Sequence, residues 1–187
     1  MRQDVDMIEA PGPAGPLPAL VREVESHVAA GGWDQPVRLF ALVGTAELLA
    51  REPQLARLLG RSSAGDGADP SGLTPVEQEE LPGYASLDEL LAGIAWPDEV
   101  RGAALAVERV VLPPEAEHDL PDDEAAALGV LREHPERRDV RLVVAVLRDG
   151  AQACVVRARG HDADEDLVSG PDLVPGLTAA LAATLKD

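Results

Sequence analysis

Residues 138–159 read RDVRLVVAVLRDGAQACVVRAR, and this stretch decides the fold. Two apolar, β-branched runs flank Asp149-Gly150, and Asp-Gly is a preferred hairpin turn because glycine tolerates a positive φ angle. A two-residue loop predicts the pairs that face each other across the hairpin: Arg148 with Ala151, Val146 with Ala153, and Val144 with Val155. The sequence therefore predicts a C-terminal β-hairpin.

The first strand of this hairpin is apolar at every position from Leu142 to Leu147. Alternate residues of a strand point to opposite faces of the sheet, so both faces of this strand are expected to be buried. Either helices cover both faces, or helices cover one face and a second subunit covers the other.

Hydrophobic spacing and capping residues predict the elements around the hairpin. Helices are expected at Pro18–Ala30, at Ala46–Arg51 after an N-cap at Thr45, at Ser86–Ile94, from Asp122 or Asp123 to Glu133, and at Asp172–Lys186, with a further turn at Pro53–Leu59. Ala103–Leu112 is expected to form a strand. Val37–Val43 has the length and content of a strand, and a continuous helix from Pro36 to Arg51 is the alternative.

The order of these elements predicts the α+β class. We expect a single domain in which a mixed or antiparallel sheet of about four strands, including the C-terminal β-hairpin, packs against helices. Residues 1–16 are rich in Pro, Gly and Ala and are expected to form a flexible tail, followed by the domain at 17–187. Residues 60–72 contain no apolar side chain larger than Ala, which predicts a flexible insertion.

The formal net charge is −18, from 34 acidic and 16 basic residues. Nucleic acid is a poor partner for such a chain, because that affinity comes largely from Lys and Arg residues that displace counterions. Anionic membrane surfaces are disfavoured for the same reason. A charge of this size favours solubility, and a basic protein partner is the alternative interpretation.

Cys154 is the single cysteine, so no disulfide can form within the chain. Its neighbours in the predicted strand are Ala153 and Val155, which indicates a small buried residue rather than a reactive thiolate. The sequence has neither the pattern of a signal peptide nor an apolar run long enough to span a bilayer. We therefore expect a cytoplasmic protein.

The sequence lacks the short motifs of catalysis, metal binding and nucleotide binding. No serine lies in Gly-x-Ser-x-Gly, and neither Gly-x-Gly-x-x-Gly nor a P-loop is present. Glu117-His118-Asp119 lies in an acidic loop, and the acidic run that begins at His161 lacks the Gly and Glu of an EF-hand. We therefore predict no catalytic residue, no metal site and no cofactor. The alternative is a hydrolase-like enzyme whose site is assembled from dispersed residues and uses Glu108, Asp98 or His118.

Glu108-Arg109 is a charged pair inside a predicted strand that otherwise consists of Ala, Leu and Val. Adjacent residues of a strand point to opposite faces, so these two cannot form one catalytic unit by themselves. The pattern favours a structural role, either as charges that protect an edge strand or as an ion pair to Arg141 or Asp139.

Two tryptophans lie near prolines at predicted element boundaries, Trp33 before Pro36 and Trp96 before Pro97. Tryptophan is favoured at binding surfaces because it combines an apolar body with a polar tip. Trp33, Pro36, Trp96 and Pro97 are therefore the predicted partner-binding residues, with both indoles at the mouth of the fold. The alternative is that each indole closes one end of the core.

Several blocks of the chain resemble those of a small, conserved actinobacterial protein family. These blocks are GWDQPVRLFALV at 32–43, IAWPDEV at 94–100, ERVVLPP at 108–114, residues 138–150, and GPDLVPGL at 170–177. The resemblance covers roughly Leu17 to Leu185 apart from the insertion, and it agrees with the excess of Arg over Lys, which is typical of a G+C-rich genome. It implies a lineage and a single cytoplasmic domain, and it assigns no activity, cofactor or residue role.

These observations predict a non-enzymatic interaction or accessory module of the cytoplasm. The predicted helices suffice to cover both faces of the sheet, and 18 net negative charges on each copy repel a second copy. We therefore expect a monomer rather than a homodimer.

Overall fold

The computed structural model describes residues 16–52, 54, 72–112, 120–121 and 123–186. The predicted tail at 1–16 and the predicted insertion at 60–72 lie outside these residues, except for Pro16 and Gly72. The helices within the described ranges are α1 (Pro16–Ala29), α2 (Thr45–Arg51), α3 (Leu87–Ala92), α4 (Glu124–Glu133) and α5 (Pro175–Ala183). The strands are β1 (Arg38–Gly44), β2 (Leu73–Glu77), β3 (Val100–Val111), β4 (Arg138–Leu147), β5 (Gln152–Ala158) and β6 (Val168–Gly170).

The sheet confirms the α+β class and has more strands than predicted. Within the described ranges it contains six strands in the order β2-β1-β3-β4-β5-β6, and every neighbouring pair is antiparallel. The prediction of about four strands missed β2 and β6, the two outermost strands. Pro75 lies in the middle of β2, and proline in a sheet is restricted to such outer strands because it has no N–H to donate. β6 has only three residues, too few for a visible alternation.

The segment at Val37–Val43 forms a strand and not a helix. β1 pairs with β2 on one side and with β3 on the other, so its backbone groups are committed to two ladders. This result removes the alternative of a continuous helix from Pro36 to Arg51.

The hairpin of β4 and β5 forms as predicted, but its register differs by one residue. Val144 lies opposite Cys154 and Val146 opposite Gln152, so the predicted pairs were wrong. The loop has three residues rather than two, and it closes with Gly150 at φ 91°. Arg148 does not pair with β5, because its backbone N–H donates to the carbonyl of Arg101 on β3 (2.9 Å).

Helix starts follow the predicted caps at two of the predicted positions. The Ser86 hydroxyl accepts from the backbone N–H of Glu89 (3.2 Å), and the Asp123 carboxylate accepts from that of Ala126 (2.9 Å). The N-cap predicted at Thr45 is wrong, since Gly44 is the cap and Thr45 is the first helical residue. The Thr45 hydroxyl instead hydrogen-bonds that of Thr74 on β2 (2.8 Å).

Helices cover both faces of β4, as predicted. The face that carries Val143 and Ala145 packs against the buried apolar side of α1, and we call it the α1 face. The opposite face, with Leu142, Val144 and Val146, packs against α5 and α3, and we call it the α5 face. Among the described residues, no helix combines the length and the apolar character needed to cross a membrane.

Candidate functional site

A buried ion network lies on the α1 face, where β4 begins and β5 ends. Glu25 of α1 accepts two hydrogen bonds from Arg157 of β5, at 2.6 and 2.7 Å, in the two-pronged geometry of an Arg–carboxylate pair. The nearest guanidinium nitrogen of Arg141 is 3.5 Å from the same carboxylate. All three side chains are buried. Because of the hydrogen bonds to Glu25, the pKa of Arg157 is raised above its ordinary value, so this side chain stays positively charged.

Glu108 joins this network across the strands. It lies directly opposite Arg141 in the β3–β4 register, and the Arg141 guanidinium donates to its carboxylate at 2.9 Å. The predicted ion pair between Glu108 and Arg141 is therefore confirmed. The other structural prediction, charges that protect an edge strand, stays a prediction: the ladder between β1 and β3 ends at Ala106, so Glu108 and Arg109 pair with β4 alone.

The network supports a loop of six residues, 31–36, which we call the Trp33 loop. Arg141 donates to the carbonyl of Gly32, and its guanidinium carbon lies 4.4 Å from the centroid of the Trp33 ring. The guanidinium carbon of Arg159 lies 5.5 Å from the same centroid. Both distances are within the range of cation–π attraction. Trp33 is half-buried. Part of its ring packs on the two guanidinium groups, and the rest is exposed to solvent.

The backbone of the Trp33 loop has an uncommon conformation at Asp34. Its φ angle is 65°, a left-handed value that side chains other than glycine rarely adopt. The backbone N–H of Asp34 donates to Glu108 at 2.7 Å, and its carboxylate accepts from Arg159 at 2.8 and 3.1 Å. Because of the hydrogen bond from Arg159, the pKa of Asp34 is lowered. Hydrogen bonds of the backbone N–H and of the side-chain carboxylate thus both stabilise the left-handed conformation of Asp34.

Gln35 closes the loop onto the end of α1. Its amide nitrogen donates to the carbonyls of Val28 and Gly32, each at 2.7 Å. The Val28 carbonyl lies in the last turn of α1 and also accepts from the backbone N–H of Gly31 (3.0 Å), so Gln35 adds a second hydrogen bond to it. These contacts fix the loop at each end and leave Pro36 exposed.

The chemistry available at this site suits binding better than acid–base catalysis. Glu25 and Glu108 each accept hydrogen bonds from arginine, so both carboxylates are already engaged by partners within the fold. Trp33, Asp34 and Arg159 combine an aromatic ring with two exposed charges. This combination is typical of the centre and rim of a protein interface.

Trp96 lies on the opposite face of the sheet and does not meet Trp33. Its indole N–H donates to the hydroxyl of Thr184 at 3.0 Å, and its ring packs against the core of the α5 face. Arg148, at the far end of β4 from Arg141, donates to the carbonyls of Trp96 and Pro97. The four predicted partner-binding residues therefore form two separate regions, Trp33 with Pro36 and Trp96 with Pro97.

The residues of the alternative hydrolase site are also dispersed. Asp98 lines a surface cleft with Arg101 and Asp149 near the start of β3. Asp98 lies in the turn before β3, whereas Glu108 lies eight residues beyond Val100, the first residue of β3, which corresponds to roughly 26 Å of strand. His118 lies outside the described residues. In the part of the chain that the structure describes, no three His, Cys, Asp or Glu side chains are placed to hold a metal ion.

Sequence reasoning missed Glu25, Asp34, Arg157 and Arg159 as members of this site. Glu25 carried a usable signal, since it lies between Val24 and Val28 on the apolar side of α1. A charged residue inside an apolar stripe requires a buried partner. Arg157 and Arg159 alternate at the end of an apolar strand, which places both on one face. Asp34 gave no such signal, because its partners are 74 and 125 positions away.

Residues 17–186, nearly the whole chain, match the sequence model of a protein family described as PPA1309-like protein. The match begins where the family resemblance was predicted to begin and confirms that the chain shares its blocks with a family. No curated protein and no solved structure matches the chain.

Proposed function

The chain belongs to the PPA1309-like protein family, and we propose that it works as a non-enzymatic interaction module whose Trp33 loop docks a protein partner. The proposal rests on the fixed position of the Trp33 ring. A half-buried tryptophan is held against a guanidinium that is itself only 1% exposed, so the position of the ring is set by the core. A ring fixed before binding loses little conformational entropy when a partner covers it.

The surroundings of Trp33 support a protein partner of mixed polarity. The side chains of Asp34 and Arg159 are 75% and 42% exposed and lie beside the ring. They offer a partner one carboxylate and one guanidinium around an apolar centre, which is the usual arrangement of a core and its rim. A nucleic acid or an anionic membrane would meet the repulsion of the −18 net charge.

Pro36 belongs to the docking surface in this proposal, and Trp96 and Pro97 do not. Pro36 is exposed and restricts the backbone φ angle at the end of the Trp33 loop, just before β1. Trp96 instead anchors the end of α5 through Thr184. We assign Trp96 and Pro97 to the stability of the α5 face.

The proposal extends to compartment and oligomeric state. We place the module in the cytoplasm of a G+C-rich actinobacterium, where a single cysteine such as Cys154 stays reduced. We propose a monomer, because α1 covers one face of β4 and α5 covers the other. Light scattering at two ionic strengths tests this state, and a mass of twice the monomer in both buffers would contradict it.

Co-purification from the source cells tests the proposed function. The tagged wild type is compared with Trp33→Ala and with a control, Tyr84→Ala, which removes an exposed aromatic ring elsewhere. We expect one protein to be retained by the wild type and by Tyr84→Ala, and its yield to fall at least tenfold with Trp33→Ala. Thermal unfolding of all three proteins establishes that each is folded. Equal retention by the three proteins would contradict the proposal.

A further inference from the structure

The α5 face carries a surface cleft that the Trp33 loop does not use. Its volume is about 560 Å³, within the range of small-molecule sites, roughly 300–1,000 Å³. Its apolar lining includes Leu87, Leu142, Leu177 and Ala180. Two charged side chains, Arg109 and Asp88, also line it.

The walls of this cleft are built from three elements. Leu142 of β4 is buried and forms part of the floor, while Leu177 and Ala180 of α5 form one wall. Leu87 and Asp88 open α3 on another side. The segment before α5 is fixed to the sheet, since the backbone N–H of Leu173 donates to the thiol sulfur of Cys154 at 3.0 Å.

Arg109 is the distinctive group in the cleft. It follows Glu108 on β3, so it points to the opposite face of the sheet from the ion network. Its register partner is Val140, and its side chain is exposed. Within the described ranges, Arg109 makes no hydrogen bond and no ion pair, and Asp88 is not within ion-pair distance of it. Among the described residues, none occupies this guanidinium beside the apolar cleft, and we take it as the group that an anion would meet.

We propose that this cleft binds a small carboxylate ligand with an apolar body. Guanidinium groups bind carboxylates through two parallel hydrogen bonds, which fixes the orientation of the ligand as well as its charge. The apolar body would pack on Leu142, Leu177 and Ala180. Asp88 repels a second negative charge, so the cleft selects monocarboxylates over dicarboxylates.

This ligand site is independent of the proposed docking of a protein partner. Glu108 and Arg109 are neighbours in the chain, yet one supports the Trp33 loop on the α1 face and the other lines the cleft on the α5 face. A failure of one proposal therefore leaves the other intact. Trp33→Ala is expected to bind the carboxylate with wild-type affinity.

A titration followed by methyl NMR tests the ligand site on the full chain. The probes are octanoate, N-acetyl-leucine and N-acetyl-leucyl-leucine, with N-acetyl-leucinamide as a matched compound without a carboxylate. We expect saturable shifts of the Leu142, Leu177 and Ala180 methyl signals with at least one carboxylate probe. The amide is expected to bind at least tenfold more weakly than N-acetyl-leucine.

Three variants identify the group that holds the carboxylate. Arg109→Gln is expected to weaken binding at least tenfold. The control is Arg138→Gln, which removes the same charge from the same face and the same end of the sheet but lies outside the cleft lining. It is expected to bind as the wild type does. Asp88→Asn is expected to strengthen binding a few-fold, because it removes a repelling charge.

Any of three results would overturn the ligand proposal. One is the lack of saturable shifts with all three carboxylate probes at millimolar concentration. The others are equal binding by the wild type and Arg109→Gln, and equal binding of N-acetyl-leucine and its amide by the wild type. The comparison between the acid and the amide uses only the wild-type protein, so it stands even where a variant loses stability.

Discussion

The guanidinium carbon of Arg141 lies 4.4 Å from the centroid of the Trp33 ring, and the same guanidinium donates to Glu108 at 2.9 Å. Trp33 therefore packs on a charge that is fixed by the central strands of the sheet. A substitution of Arg141 or Glu25 in the core would therefore alter the position of Trp33 at the surface. This coupling indicates a rigid loop rather than an adaptable one, which is the property that the proposed docking requires.

Removal of Glu25 is expected to destabilise the fold strongly. Glu25→Ala leaves the buried Arg157 without its two-pronged partner, and breaking a buried pair in this way costs about 3–5 kcal/mol. Urea unfolding measures the loss. The control is Glu47→Gln, which breaks an exposed pair with Arg101 of similar length (2.6 Å) and is expected to cost no more than about 1 kcal/mol. Equal losses in the two variants would contradict a buried network that stabilises the fold.

The double variant Glu25→Leu with Arg157→Met tests whether charge or packing matters at this position. Apolar side chains that replace both members of a buried pair often restore the stability that either single change removes. We expect the double variant to unfold at a higher urea concentration than Glu25→Ala. A double variant less stable than the single one would show that the hydrogen bond from Arg157 to the carbonyl of Ala163 is essential.

The left-handed backbone of Asp34 predicts an order of stability for two substitutions. Both Asp34→Gly and Asp34→Ala lose the ion pair with Arg159, but only alanine must also adopt a φ angle of 65°. Asp34→Gly is therefore expected to melt about 2–4 °C above Asp34→Ala in a chain of this size. Thermal unfolding by circular dichroism measures the difference, and the reverse order would rule out the strained turn.

Acid stability is expected to depend on Glu77. Hydrogen bonds from Arg38 lower the pKa of this carboxyl, so the ionised form is favoured in the folded state. A lowered pKa contributes stability above the pKa of the unfolded chain, roughly 4.3, and this contribution is lost as the pH falls through the folded value. Glu77→Gln should therefore be less stable than the wild type at pH 7 and should lose less stability between about pH 5 and pH 3. The control is Glu79→Gln, which changes an exposed carboxylate. If Glu77→Gln and the wild type lose the same free energy of unfolding between about pH 5 and pH 3, the prediction is contradicted.

Cys154 is expected to react slowly in the folded protein. Burial raises the pKa of this thiol, which keeps it neutral at pH 8. A raised pKa contributes stability below the pKa of the unfolded chain, about 8.5, and loses it as the pH rises through the folded value. Alkylation by iodoacetamide at pH 8, followed by intact mass, should be at least 100-fold slower than in urea. Similar rates in both conditions would show that the thiol is accessible.

The fold could be predicted where the sequence pattern is local. The hairpin around Asp149-Gly150, the two apolar faces of β4 and the cap at Ser86 depend on neighbouring residues, and each was found, although the hairpin loop has three residues rather than two. The hairpin register could not be predicted, because it depends on a backbone bond from Arg148 to the distant strand β3. The short outer strands carry too few residues for a pattern and form only because β1 and β5 offer them an edge.

The candidate site could be predicted only in part, for a similar reason. Trp33 was identified by residue type, and the pair of Glu108 with Arg141 by the need of a buried charge for a partner. The prediction that Trp33 and Trp96 share one surface had no support from spacing, and the structure places them on opposite faces. Which side chains surround the ring depends on contacts between positions far apart in the chain, such as Asp34 with Arg159, which are 125 positions apart.

Photocrosslinking in the source cells tests the docking surface most directly. A p-benzoylphenylalanine residue replaces Trp33 in one variant and Tyr84 in a matched control, so that each carries the same reactive aromatic group. The account predicts one discrete crosslinked product from position 33, with a single partner protein identified by mass spectrometry, and none of that product from position 84. No product at position 33, or the same products from both positions, would contradict a partner-binding role for the Trp33 loop.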